Sequence, residues 1–246
     1  YSSSIITSCS LAFGMITFFM PAFAAASILW VTPPTGRTSP RTESEPVIAR
    51  SWATGTSSSA EITAVATVTG LKPFTPYAYD VEVDGKSMLG EDRPSFRTSP
   101  AAGQKVAFSV GFGGGARYIP SREAIWNTIA KVDPLAFLFL GDNVYIDSPG
   151  KPDVQRAHYY RRQSHPAFRR FAASTALYAI YDDHDFGRND TKGGTNPDKP
   201  AWKRESLSVF AENWPNPAFG GGRENPGCWF DFAIGDVHVF MLDQRY

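Results

Sequence analysis

Residues 176–190 read ALYAIYDDHDFGRND, an apolar run from Ala176 to Tyr181 followed at once by three acids and a histidine, Asp182, Asp183, His184 and Asp185. An apolar run this short, with no polar alternation, reads as a strand covered on both faces, the kind that parallel sheets use. Two further runs end the same way, LAFLFLGDN (135–143) at Asp142 and VHVFMLD (237–243) at Asp243. Between them lie helical stretches: SREAIWNTIAKV (121–132), with Ser121 as its expected N-cap, and the charged segment around HYYRRQSHPAFRRFAAS (158–174). KVAFSVGF (105–112) reads as one more buried strand. Strand alternating with helix predicts an α/β domain over 101–246, a parallel or mixed sheet with flanking helices.

In open α/β sheets, ligands bind beyond the carboxyl ends of the strands. The fold therefore gathers Asp142, Asp182, Asp183 and Asp243 from distant parts of the chain. Carboxylates a few Å apart push one another's pKa values up, and a bound cation removes the conflict. Hard oxygen donors with a histidine and a tyrosine nearby suit Ca, Mg, Mn or iron better than a structural zinc. A lone Asp at a strand end is an ordinary turn former. Three such ends, one carrying YDDHD, point to a metal cluster with His184 among its acids.

Residues 30–100 use a different vocabulary of Thr, Ser, Val and Pro. Short alternating runs, AEITAVATVTG (60–70) and YAYDVEVDGK (77–86), predict strands of a small antiparallel sandwich. LKPFTPYAYDVEVDG (71–85) and SFRTSP (95–100) look like the closing strands of a fibronectin type III or immunoglobulin-like module, with Tyr77 or Tyr79 as its corner tyrosine. Residues 5–29 carry no charge and end in AFAAAS (22–27), the pattern of an export signal cleaved near Ala24 to Ala26. Pro21 and the small residues after it favour cleavage over a stable membrane anchor. The expected organisation is a signal remnant at 1–27, a fibronectin-like domain at 28–100 and the α/β domain at 101–246.

Bulk charge sets further limits. Lys plus Arg and Asp plus Glu each total 24, so no global field draws the chain to nucleic acid or a membrane surface, and any anionic partner must be bound locally. Cys9 and Cys228 form no metal-binding pair or disulfide framework, and Cys228 reads as a small buried hydrophobe. GFGGGARY (111–118) reads either as a phosphate cradle of backbone N–H groups or as a flexible turn; it lacks the P-loop Lys. Arg161, Arg162, Arg169 and Arg170 read as a solvated helix face, His158 and His165 as surface or core residues, and His238 as structural.

FLFLGDNVYID (137–147), YAIYDDHDFGRND (178–190) and WFDFAIGDVHVFMLDQRY (229–246) resemble the alkaline phosphatase D family, the PhoD-like members of the calcineurin-like metallophosphoesterase superfamily. The carrying motifs are G-D-x-x-Y and D-D-H-D/E, and the likeness extends over residues 28–246. The resemblance implies hydrolysis of small-molecule or polymeric phosphate esters, secreted or periplasmic, at a centre of calcium with iron. It implies Asp142 as the bridging ligand, Tyr145 as a phenolate ligand and Asp183 as ligand of the second metal, with Asp182 expected as a further metal ligand. It implies His184 as the group that stabilises or protonates the leaving oxygen, and Asn189 as a phosphate-binding residue. The family carries a Cys ligand after its first core strand, where this chain has Gly111 and Gly113, and supplies further His and Asp ligands beyond the point where this chain stops. Residues 1–246 thus read as the N-terminal part of the family fold, expected by themselves to hold metal weakly and to be inactive. Two alternatives stay open: a secreted binding module with structural calcium, and another metal-dependent phosphodiesterase.

Overall fold

The structure is a computed structural model that describes residues 68–81, 87–89 and 93–246 in full and, as backbone alone, the strand segments between 11 and 67 and residues 82, 83 and 86. Most of the stretch expected to be an export signal, and part of the expected sandwich, lie outside the described residues.

Among the described residues, eight strands precede residue 100. Leu11–Ala12 (β1), Met15–Pro21 (β2), Trp52–Thr54 (β4) and Glu61–Thr67 (β5) form an antiparallel sheet in the order β1-β2-β5-β4. Ile28–Thr32 (β3), Pro76–Val83 (β6), Lys86–Ser87 (β7) and Ser95–Arg97 (β8) form a second sheet centred on β6. Alternation along β6 turns Tyr77, Tyr79 and Val81 inward, where they meet Val68 and Phe96. The Tyr77 hydroxyl accepts the Lys72 N–H at 2.9 Å, and the Tyr79 hydroxyl donates to the Ala173 carbonyl at 2.9 Å, tying this sheet to the domain that follows.

That domain is built on three parallel strands, Val110–Gly113 (β9), Ala136–Leu140 (β10) and Ala176–Ile180 (β11), in the order β11-β10-β9. The register sets Leu140 opposite Ile180, so β10 and β11 end in step and release Gly141-Asp142 and Tyr181-Asp182 at one level. Its helices are Ile125–Ala130 (α1), Pro152–Gln163 (α2), Pro166–Ala172 (α3), Asp183–Phe186 (α4) and Lys203–Asn213 (α5). Ser121 does not cap α1. Pro120, with its fixed φ, opens a 3-10 turn over Pro120–Arg122 that contains Ser121.

The sheet is covered on both faces, as an apolar parallel sheet must be. On one face Trp126 of α1 lies within 5.1–5.9 Å of the rings of Phe137, Phe139, Phe168 and Phe171, and Trp214, after α5, lies 4.8 Å from Phe139. Each such buried aromatic contributes about 1.5–3 kcal/mol by leaving water. On the other face Tyr178 stacks at 3.9 Å on Phe232, from the hairpin Phe230–Ile234 (β12) and Val237–Met241 (β13).

Here the structure departs from the sequence expectation. VHVFMLD is one arm of an antiparallel pair and not a strand of the parallel sheet. The two-residue turn Gly235-Asp236, with Gly235 at φ 61°, folds it back on β12. Arg162 departs too: it is 3% exposed and paired at 3.0 Å with Glu123, instead of facing solvent.

Candidate metal centre

The turn after β10 is forced into left-handed backbone. Gly141 has φ 100°, and Asp142, Tyr145 and Asp147 follow at φ 53°, 54° and 54°. Non-glycine residues in that region are held at a cost of about 1–3 kcal/mol each, and they persist only where their surroundings fix them. Here α4 supplies the fixing. The His184 carbonyl accepts the N–H groups of Ile146 (2.9 Å) and Asp147 (3.1 Å). The buried Asp185 carboxylate accepts those of Asn143 (2.8 Å) and Val144 (2.9 Å), and the Asn143 side chain adds bonds to Asp185 and to the Ile180 carbonyl, each at 2.9 Å. The loop of Asp142 and the helix of Asp183 and His184 are therefore one unit.

Gly141 permits the close approach. A Cβ there would sit 2.6 Å from the Asp182 Cβ and 2.8 Å from the Asp182 nitrogen. Gly141→Ala is therefore expected to destabilise the protein by about 1–3 kcal/mol and to weaken metal binding, because the two turns must separate. Chemical denaturation and metal titration of the variant check both effects.

The ligand atoms of Asp142, Asp183 and His184 all lie within 4.8 Å of one another. The charge around Asp142 is only partly compensated: burial first, then Asp182 and Asp183, push its carboxyl above the ordinary value, against the Tyr145 hydrogen bond and His184. Burial also raises the Asp183 carboxyl, but the Asp190 N–H, Arg245 and His184 carry it below the usual range, so it is held as a carboxylate. Burial would lower His184, yet the 2.6 Å contact of its Nδ1 with Asp147 and the neighbouring acids raise it overall. With Nδ1 engaged, Nε2 is the ring nitrogen left for a ligand or substrate. Two carboxylates and an imidazole at this spacing fit a cation with oxygen and nitrogen donors.

The other expected site residues take different places. The Tyr145 ring stacks on His184 at 4.3 Å, and burial followed by its bond to Asp142 holds the phenol above its ordinary value; a phenolate there needs a cation to offset that field. Asp182 is the N-cap of α4, accepting the Asp183 N–H at 2.9 Å, and is gripped by Arg245, whose guanidinium also lies 3.8 Å from Asp183. The Asn189 amide donates to Asp190 at 2.6 Å, while the Asp190 N–H is bonded to Asp183. Asp243 does arrive beside β11, but as a structural acceptor for the Tyr181 hydroxyl (2.5 Å) and the N–H groups of Cys228 (2.8 Å), Arg245 (2.8 Å) and Tyr246 (3.0 Å).

Cys228 is fully buried beside that hub, its thiol raised by burial and Asp243. Where the resemblance implies a Cys, a Cβ on Gly111 would lie 2.5 Å from the Phe137 ring, whereas one on Gly113 would make an ordinary 3.6 Å contact with it. His238 pairs with Asp231 at 2.6 Å on the surface, and His165 caps α3 through the Ala167 N–H. Asp147, Asp185 and Arg245 were not singled out as site residues from sequence. The D in GDNVYID, five residues after Asp142, is the signal that points to Asp147.

No protein-family profile and no curated protein sequence matches the chain. A solved structure described as "Structure of PhoD" does match, with a TM-score of 0.71 and 16% identity over 100% of this chain. The chain spans 53% of the length of that one, about half. Its α/β architecture, a parallel sheet with flanking helices, is accordingly similar to the fold of PhoD.

Proposed function

We propose that the protein containing these residues hydrolyses phosphate esters at a metal centre held by the carboxylates of Asp142 and Asp183, with His184 beside it as the proton-transfer group. The observation that carries this reading is the convergence of the Asp142 and Asp183 carboxylates and the His184 ring, whose candidate ligand atoms lie within 4.8 Å of one another at the carboxyl ends of two parallel strands. The similarity to PhoD, whose fold this chain shares over about half its length, adds the reaction class. A bound cation would supply charge stabilisation to phosphoryl oxygens and acidify a bound water. Calcium with iron suits the oxygen-rich donor set, with Tyr145 in reach of Asp142 as a further ligand and Asp182 at the cluster's edge.

The chain's own residues do the rest. Asp147 fixes the His184 ring through Nδ1, and stacking on Tyr145 holds its plane, so Nε2 is oriented to hold or give a proton at the leaving oxygen. Arg245 keeps Asp182 and Asp183 in place by charge. Asn189 lies on the turn whose Asp190 N–H holds Asp183, and it is the proposed phosphate contact. Substrates would be small or polymeric phosphate esters. The uncharged run 5–29 supports a secreted or periplasmic location, and no helix among the described residues is long and apolar enough to cross a membrane.

The test is phosphate release from p-nitrophenyl phosphate and from an alkyl phosphate by protein containing residues 1–246. Chelation is expected to abolish turnover and metal to restore it. His184→Asn is expected to lower kcat by roughly 10²-fold or more, with the greater loss on the alkyl ester, whose leaving oxygen needs the proton. Equal losses on both esters would assign His184 to metal binding alone, and hydrolysis that survives chelation would remove the metal mechanism.

A further inference from the structure

We infer that Arg117 is the anion-recognition residue of this centre, its guanidinium placed to grip the oxygens of a bound phosphoryl group. This rests on the phosphoester reading of the same site. Gly113, Gly114 and Gly115 carry no side chains, which lets their loop lie directly on the turn of Asp142. The Gly115 N–H donates to the Gly141 carbonyl at 3.1 Å, and a Cβ on Gly114 would stand 3.2 Å from that same oxygen.

The next residue is clamped from below. The Ala116 carbonyl accepts a bond from the Arg162 guanidinium, which is paired with Glu123, and Glu123 also takes the Trp126 indole N–H at 2.8 Å. Arg162 and Glu123 are each 3% exposed, and the rings of Tyr118, Trp126 and Phe168 surround Arg162 at 5.5–5.9 Å. A buried ion pair adds little net stability compared with apolar packing of the same volume. What this pair does is fix the loop, and so the residue after Ala116.

That residue, Arg117, is exposed, and its guanidinium lies 5.9 Å from the centroid of the Tyr145 ring, which in turn stacks on His184. Among the described residues it forms no ion pair, whereas Arg245 is engaged by Asp182 and Asp183. A guanidinium on an anchored loop, over the Tyr145 ring and without a carboxylate partner among the described residues, matches the planar two-oxygen edge of a phosphoryl group.

The test is calorimetric titration of inorganic phosphate into Mn²⁺-saturated protein containing residues 1–246, for the wild type, Arg117→Met and Arg117→Lys. The expected result is that Arg117→Met weakens phosphate binding by at least about tenfold, with Arg117→Lys intermediate, while Mn²⁺ affinity stays within about twofold. Equal phosphate affinity in the wild type and Arg117→Met overturns the assignment, as does a metal-saturated wild type that binds no phosphate. Loss of Mn²⁺ binding in Arg117→Met also overturns it, because the residue would then support the ligands and not the anion. Phosphate binding that depends on Arg117, in a protein that hydrolyses no ester, keeps the anion site and removes the hydrolase reading.

Discussion

Asp142→Asn is expected to reduce metal affinity by at least about 10²-fold and to abolish turnover, while leaving the metal-free protein as stable as the wild type or slightly more so. The two effects have opposite signs for one reason. Asp142 stands at the end of β10, partly buried, and faces Asp182 and Asp183 without an arginine of its own. Its carboxylate is therefore unfavourable in the absence of a cation and decisive in its presence. The amide keeps the shape but removes the charge, so repulsion falls and so does the attraction for metal. No neighbour replaces it: Asp185 is turned inward to the backbone of Asn143 and Val144, and Asp182 is held by Arg245. Metal titration and thermal unfolding of the metal-free variant measure the two halves. Unchanged metal affinity would remove Asp142 from the centre, and a large loss of metal-free stability would make its role structural.

Asp185→Leu is expected to cost about 2–5 kcal/mol of stability, because the N–H groups of Asn143 and Val144 lose their buried acceptor at about 1–3 kcal/mol each. At roughly 2–4 °C per kcal/mol for a chain of this size, the unfolding temperature should fall by about 5–20 °C. Metal binding should weaken with it, although Asp185 is not in the ligand cluster, because the strained turn that carries Asp142 and Tyr145 is held down by this carboxylate. Asp185→Asn tests the geometry more finely. Both carboxylate oxygens accept N–H donors, so an amide presents one NH₂ to a donor and should recover only part of the loss. Denaturant unfolding of the three proteins checks this; a loss below about 1 kcal/mol for Asp185→Leu would show that the turn holds its shape without the clamp.

These two residues also mark how far the sequence could be read. The runs 135–140 and 176–181 announce buried parallel strands because nothing polar interrupts them, and the acids behind them mark where the chain leaves the sheet. Their equal register brings the ligand atoms of Asp142, Asp183 and His184 together. The direction of a side chain within an acid cluster is not written in its spacing. In DDHD the first acid caps a helix, the second faces the cluster and the last points into the core, a difference set by one short helical turn. Asp147 reaches His184 only because three residues of its loop adopt left-handed backbone, which composition does not signal.

Long-range partners were equally hidden. Arg162 lies in a run of charged residues that looks solvated, and only the packing of α1, α2 and the glycine loop makes it a buried anchor. The ammonium of Lys203, fully buried, shares its three N–H groups among the carbonyls of Gly193, Gly194, Asn196 and Tyr246, all within 2.9–3.3 Å, which no local pattern brings together. The hairpin at Gly235-Asp236, by contrast, was open to recognition: a Gly-Asp pair between two alternating runs is a turn signal, and apolar content alone drew VHVFMLD toward the parallel sheet.

The central claim, a metal bound where β10 and β11 end, is tested most directly by anomalous diffraction from crystals of protein containing residues 1–246 grown with Mn²⁺. The account predicts an anomalous peak, absent in Asp142→Asn, within about 2–2.5 Å of oxygens of Asp142 and Asp183, with His184 Nε2 outside that shell and free to carry its proton. A fully occupied Mn²⁺ bound elsewhere, or no peak at these two carboxylates at saturating metal, would contradict it.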